Sequence, residues 1–349
     1  MISEKSRKAG YMLSVPGRKL LLYHADADGV CSAALLLKFF PDFEAIPREG
    51  PIMDDRFLRE LRGKKPALLV GVDLPLDQEV KKLKKFQKAV PGLELLVIDH
   101  HIIMADLNRE GMLHINPRFE EKEAYIPASY AVYRLLEELG KPVKKYVWVS
   151  AIGVIGDYGF RDCDDLIGEC MAGCPGSIKF SKSIFDSHLG QSSEIISGCI
   201  TLKSMAGAKM ALKRLLECET YKDFLQSPVL VACKDEVQAE IRRLISEFTA
   251  KPPRPEKGVI FCRIGGRLNL NSVISSILSA RFPDNVVIVS KAVKRNFKVS
   301  ARCQSGRINV GTLLKKASAG IGSGGGHEKA AGALVNDWEK FRKRVMEMV

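Results

Sequence analysis

At 349 residues, with 46% hydrophobic and 27% charged side chains, the chain has an ordinary globular composition and the length for two domains, each with its own core. No apolar run approaches the roughly 18 residues that span a bilayer, and the opening MISEKSRKAGYMLSVPG lacks the apolar centre of a secretion signal, so no membrane partner and a cytoplasmic location are expected, with the nine scattered cysteines as reduced thiols. The net charge of +13 is uneven: residues 1–202 carry 27 Lys+Arg against 28 Asp+Glu and residues 203–349 carry 27 against 13, an excess that attracts polyanions.

Along the chain, Lys19–Tyr23 (KLLLY) reads as a core strand, followed by the acidic turn HADADG and a helix beginning near Ser32. Ala67–Val72 (ALLVGV) is a second strand ending at Asp73, with a Lys-rich helix from about Asp77 to Val90. The apolar run LLVIDHH, Leu95 to His101, is a third, closing on an acid and two imidazoles. Pro127–Leu139 and Tyr146–Ile155 are helical, the latter closing on Gly156-Asp157-Tyr158-Gly159. Strands alternating with helices imply a parallel sheet with right-handed crossovers. From Ser192 to about Tyr221 the pattern is helical, and the connection between domains is expected within Leu189–Pro228. A second α/β unit follows: strand Gly258–Arg263, helix Asn271–Ala280, strands Asn285–Ser290 and Asn296–Arg302, then Gly322-Ser323-Gly324-Gly325-Gly326-His327 and EKAAGALV, read as a small-residue helix.

The strand ends of the first half carry His24, Asp26 and Asp28; Asp73; Asp99, His100 and His101; and Asp157 is similarly placed at a helix end. In open parallel sheets ligands bind at the carboxyl ends of the strands. Several carboxylates in one cleft would repel one another and take up protons unless cations neutralise them. Mixed Asp and His donors suit Mn²⁺ or another borderline divalent ion, and one carboxylate can bridge two ions. Taken singly these residues have plain explanations, a turn at Asp28-Gly29 or a helix cap at Asp73; together they point to a metal pair.

The series HADADG, GVDLP, VIDHH and IGDYG resembles, in order, the four motifs of the DHH phosphoesterase superfamily, and GSGGGH resembles the signature of the DHH-associated C-terminal domain. That closing motif argues against the pyrophosphatase branch and for the branch of RecJ-type exonucleases and nanoRNases. The resemblance implies an α/β fold: a parallel-sheet DHH catalytic domain over 1–190, a helical connector over 191–228, and a smaller α/β substrate-binding domain over 229–349, with the active site in the inter-domain cleft. It implies two Mn²⁺ ions, with Mg²⁺ or Co²⁺ as substitutes. Asp26 and Asp73 would hold one and Asp28, Asp73, His100 and Asp157 the other; His101 would face the phosphate and Asp99 would orient a neighbouring imidazole. Many members carry a histidine where this chain has Leu22; His24 matches the RecJ-like variant, as either a ligand or a structural neighbour of one.

In the basic half, Gly324, Gly325 and Gly326 bring backbone amides close to an anion, the helix start read behind them makes an anion site of oriented amides, and His327 adds a donor. The resemblance makes Arg302 the fork on the substrate's far end, with Asn269, Asn271 and Ser272 near the same nucleotide. The implied reaction is metal-assisted phosphodiester hydrolysis releasing mononucleotides from single-stranded DNA, RNA or short oligonucleotides; replication or repair proteins and a homodimer are the partners to consider. The alternatives are a small-nucleotide phosphoesterase, acting on a cyclic dinucleotide or phosphoadenosine phosphate, and a replisome scaffold that keeps the fold. The +14 of the basic half favours a polymer, and the intact acids disfavour the scaffold. Cys163, Cys170 and Cys174, even with His188 or Cys199, form a poor zinc pattern. Cys31 reads as packing, Trp148 as core and His114 as an ordinary histidine, and the aromatics are too scattered to specify a base-stacking platform.

Overall fold

The computed structural model describes residues 3–178 and 183–349. The chain divides into two compact units, Met1–Asp235 and Glu236–Val349. The first contains α1 (Glu4–Leu13), β1 (Lys19–His24), α2 (Ala27–Phe39), β2 (Phe43–Arg48), α3 (Asp55–Gly63), β3 (Leu68–Val72), α4 (Val80–Ala89), β4 (Glu94–Ile98), β5 (Leu113–Ile115), α5 (Ala128–Glu138), α6 (Val147–Gly156), α7 (Asp164–Gly173), α8 (His188–Lys203), α9 (Met205–Glu217), α10 (Tyr221–Leu225) and the start of α11 (Pro228–Ala250). Its five strands are all parallel, in the order β2-β1-β3-β4-β5. Strand order reverses between β1 and β3, so the carboxyl ends of these two strands flank the switch point where such sheets bind ligands.

Strands buried on both faces read as near-continuous apolar runs, as β3 and the inner residues of β1 and β4 do. Leu21 and Tyr23 of β1, Val70 and Val72 of β3, and Leu96 and Ile98 of β4 point into one core, against Ala34 and Leu35 of α2, Val132 of α5 and Ile152 of α6. Leu20, Leu22, Leu69, Leu95 and Val97 alternate into the other, against Phe57 and Leu61 of α3 and Leu83 and Phe86 of α4. Trp148 is core, as its sequence context suggested.

The second unit continues α11 and adds β6 (Val259–Arg263), α12 (Asn271–Arg281), β7 (Val286–Val293), β8 (Asn296–Arg302), α13 (Val310–Ser318), β9 (Gly322–Gly326), β10 (Ala330–Val335) and α14 (Trp338–Met348). Its mixed sheet runs β6-β7-β8-β10-β9, with β6 and β7 parallel and the other pairs antiparallel. Val299, Ala301, Ala331, Ala333 and Val335 pack on Leu313, Leu314 and Phe341 of α13 and α14.

One expectation is corrected here. EKAAGALV is not a helix: Ala330–Val335 pairs with β8 and β9, and its burial alternates with period two, Ala331, Ala333 and Val335 facing the core. Alanine favours helix weakly, and pairing on both edges overrides that preference. Residues 191–228 are helical. Ile195, Ile196 and Cys199 of α8 and Ala208, Ala211 and Leu215 of α9 are buried in the first unit's core, and the division falls inside α11.

Candidate metal centre

The turn after β1 gathers the first three donors. Asp26 caps α2, its Oδ1 accepting from the Gly29 amide at 2.9 Å. A Cβ on Gly29 would stand 2.3 Å from the carbonyl oxygen of His24, so only glycine lets the helix start this close to the strand end. Asp28, in the first turn, is turned inward: Oδ2 accepts from the Ala128 amide at 2.7 Å and Oδ1 from the Ser129 amide at 2.9 Å. The N-terminus of α5 therefore fixes a buried carboxylate with the amides a helix leaves unpaired. Space for that carboxylate comes from Gly153 on α6, where a Cβ would lie 2.9 Å from Asp28 Oδ1.

Asp73, directly after β3, has φ +56°, a conformation that aspartate tolerates better than most residues but that carries strain. Its amide still bonds to Ile98 O at 2.9 Å, so the β4 ladder continues one residue past the strand while the side chain turns into the cluster. Asp73 Oδ1 lies 3.3 Å from His100 Nε2, and Asp73 Oδ2 lies 3.4 Å from His24 Nδ1. His24 Nδ1 is also 2.7 Å from Asp26 Oδ2, and His100 Nε2 is 3.4 Å from Asp157 Oδ2. Three sets of donor atoms each fall within 4.8 Å of one another: His24, Asp26 and Asp73; Asp28, His100 and Asp157; and Asp73, His100 and His101. The expected Asp26, Asp28, Asp73, His100 and Asp157 thus converge, and His24 joins them. Asp73 and His100 each belong to two sets.

The electrostatics of this cluster favour a cation. Burial would depress the His24 and His100 imidazoles, but hydrogen bonds and charge from Asp26 and Asp73 push His24 up to about 11, and Asp73, Asp28 and Asp157 push His100 up to about 10. Burial and the neighbouring carboxylates raise Asp26, raise Asp28 well above the usual range, and bring Asp157 to about 6 against the opposing pull of His100. Asp73 is held low by its two imidazoles despite burial. Without metal the donors must borrow protons. Asp73 Oδ2 is buried and its polar neighbour, His24 Nδ1 at 3.4 Å, lies closer to Asp26, which leaves an acceptor suited to an ion and otherwise costly to bury. The residues fit a pair of divalent cations.

His101 Nδ1 bonds to Asp99 Oδ1 at 2.8 Å, the orientation expected for Asp99, and its ring is partly exposed. The backbone of this loop is held from behind. Arg118 Nε donates to His100 O at 2.9 Å, Asn116 Nδ2 to His101 O at 3.0 Å, and the Ala105 amide donates to Asp77 Oδ2 at 3.0 Å. Tyr125 Oη donates to Asp157 Oδ2 at 2.9 Å, with its ring edge-on to His100 at 5.3 Å. None of these supports is legible in sequence, because each comes from a loop or a single 3-10 turn whose residues look generic.

In the second unit Arg302 ends β8 with its guanidinium donating to Ser272 Oγ at 2.7 Å and Ser276 Oγ at 3.2 Å on α12. Asn271 is buried, its amide donating to Lys298 O at 2.7 Å, so as it stands the side chain joins α12 to the sheet and offers no donor to a ligand. Gly324, Gly325 and Gly326 lie in the edge strand β9, and His327 is exposed in the turn beyond it. The expected helix start behind the glycines is absent. The α13 amides of Val310 and Gly311 are instead spent on Glu328 O and His327 O, at 2.8 and 3.1 Å. All nine cysteines are free; Cys163 and Cys170 are buried.

A parallel sheet whose strand ends share a carboxylate between two imidazole-bearing donor sets, followed by a small mixed-sheet unit, defines a divalent-metal-binding α/β protein. The N-terminal domain model of the DHH family matches residues 20–154 and the DHHA1 domain model residues 259–348, and the chain belongs to the DHH phosphoesterase superfamily. RecJ from Thermus thermophilus, solved with Mn²⁺, is similar at 17% identity and TM-score 0.76, over 99% of this chain and 54% of that one, so the chain spans about half the length of this relative. An exonuclease RecJ bound to manganese is similar at 18% identity and TM-score 0.74, over 99% of this chain and 93% of that one. The pGpG-specific phosphodiesterase PggH from Vibrio cholerae is similar at 16% identity and TM-score 0.52, over 95% and 98%. At these identities the likeness is one of fold. Comparison with curated protein sequences gives no match. No helix among the described residues is long and apolar enough to cross a membrane.

Proposed function

We propose that this chain is a Mn²⁺-dependent phosphodiesterase that removes mononucleotides from single-stranded nucleic acid or short oligonucleotides. The observation that carries the reading is the sharing of buried Asp73 between His24 with Asp26 on one side and His100 on the other. Asp26, Asp73 and His24 would hold one ion; Asp28, Asp73, His100 and Asp157 would hold the second. Such ions, when bound, polarise a phosphoryl group and acidify water. His101 gives its Nδ1 to Asp99, which leaves Nε2 for the substrate. Burial opposes protonation of His101, but the Asp99 contact raises its pKa, so Nε2 can donate to a phosphate oxygen or to the leaving oxygen. Arg302, the Gly324–Gly326 strand and His327 are the groups proposed to take the substrate's end, with the basic excess of residues 203–349 attracting the polyanion.

The test incubates end-labelled RNA and DNA of two to twenty residues, a circular single strand and a cyclic dinucleotide with the protein and Mn²⁺, with EDTA and Asp157→Ala as controls. Ladders of mononucleotide products from linear strands, abolished in both controls, support the reading. Equal cutting of circles removes the end requirement, turnover confined to dinucleotides favours the small-nucleotide alternative, and activity surviving in Asp157→Ala removes the two-ion site.

A further inference from the structure

Tyr158 follows Asp157 directly, and nothing in the fold requires its ring. The residue is 70% exposed and held at φ +62°, closing α6 in the left-handed conformation that a glycine adopts without cost. A tyrosine here keeps a strained backbone and buries little apolar surface in return. The ring nonetheless has a partner. Phe185 lies 4.9 Å away at 50°, and Phe160, itself half-buried, meets Phe185 edge-on at 5.9 Å, so two rings of the turn after α6 and one from a distant stretch form a ledge with Tyr158 outermost. Aromatics that the linear sequence left unconnected are thus assembled around a residue one peptide bond from the Asp157 donor. Tyr125 brings a ring to the Asp157 carboxylate itself, through the bond from its Oη.

We propose that Tyr158, buttressed by Phe185, stacks on a nucleobase flanking the phosphodiester that occupies the metal centre. The proposal rests on the phosphodiesterase reading above. An aromatic face next to a phosphate-directed centre fits a nucleotide, since every base offers a π face whatever its hydrogen-bonding edge. It would give affinity for bases without sequence preference, and it makes Tyr158 a positioning residue, since the reacting phosphorus is held by other groups.

The experiment compares trinucleotides that carry a normal residue or an abasic tetrahydrofuran residue at either end, with the full chain and Mn²⁺. The wild type is expected to favour the base-bearing substrate by roughly tenfold in KM at one end. Tyr158→Ala is expected to erase that ratio, Tyr158→Trp to restore it, and Tyr158→Leu not to. If Tyr158→Ala keeps the wild-type ratio, or weakens both substrates equally, the stacking assignment is wrong even though hydrolysis stands. If the wild type turns over neither substrate, it is the phosphodiesterase reading that fails, and a binding measurement still decides the stacking. Fluorescence of a terminal 2-aminopurine on a phosphorothioate oligonucleotide should be quenched by the wild type and not by Tyr158→Ala; equal quenching by both, or quenching by neither, overturns the proposal.

Discussion

The Asp28 carboxylate accepts a 2.7 Å hydrogen bond from the backbone amide of Ala128, one hundred residues away, which ties the β1–α2 turn to the first turn of α5. The amides of Ala128 and Ser129 hold both oxygens, so the carboxylate cannot swing to suit a ligand; it is pre-positioned. Gly153 leaves the room, since a Cβ there would lie 2.4 Å from Ser129 Oγ and 2.9 Å from Asp28 Oδ1. Gly153→Ala should therefore cost about 1–3 kcal/mol of stability through overpacking. It should also weaken Mn²⁺ binding on the order of 10–100-fold by displacing Asp28. Thermal denaturation and calorimetric Mn²⁺ titration check the two effects separately. A variant with normal affinity would mean that Asp28 is not held for a metal.

Asp73 predicts a stoichiometry. Because Oδ1 faces His100 and Oδ2 faces His24, it serves both donor sets, whereas Asp26 touches only one. Asp73→Asn keeps the shape and tolerates the φ of +56°, so the fold should survive. Native mass spectrometry should find two Mn²⁺ per wild-type chain, one in Asp26→Asn and none in Asp73→Asn at matched free metal. Retention of one ion in Asp73→Asn would show that the carboxylate does not bridge.

The protons borrowed by the metal-free cluster predict its pH dependence. His24 and His100, raised to about 11 and about 10, are both protonated near neutrality, yet a ligand imidazole must be neutral. Mn²⁺ affinity should rise between pH 6 and 9, and binding should release on the order of two protons, seen as a calorimetric enthalpy that differs between phosphate and Tris buffers. Stability of the metal-free chain runs the other way. Since the folded pKa values exceed the ordinary imidazole value of about 6.5, the stabilisation from these two groups is complete below that pH and is lost as pH rises through about 10 and 11. Buffer-independent enthalpies would show that the histidines are already neutral in the free protein.

Sequence reading located the chemistry better than its supports. Asp26, Asp28, Asp73, His100 and Asp157 were legible because each ends an apolar run, and a strand end points its last side chains into the ligand region. β2, Phe43–Arg48, was missed: two of its six residues are buried, as suits the sheet's edge, and Pro47 interrupts it. β9 and β10 were misread because glycine and alanine carry no period of their own. Tyr125 lies in a loop and Arg118 in the short 3-10 turn Pro117–Phe119, where only three-dimensional proximity reveals a role.

The glycines of β9 separate a structural need from a functional one. Gly326 has φ +144°, and a Cβ on it would lie 2.6 Å from Ala330 O; one on Gly324 would lie 2.8 Å from Ala333 Cβ and 2.9 Å from Leu314 O. Both positions admit no side chain because the hairpin and α13 press against them. Gly325 differs: its φ is ordinary and a Cβ would meet nothing within 4 Å. Gly326→Ala should destabilise the second unit by more than about 1 kcal/mol, while Gly325→Ala should leave stability within about 0.5 kcal/mol, as for a surface change. If a substrate anion approaches the β9 backbone, the methyl of Gly325→Ala intrudes on that contact alone, raising KM for oligonucleotides with kcat little changed. Unaltered KM in a fully folded Gly325→Ala would remove β9 from the substrate site and leave its glycines to packing.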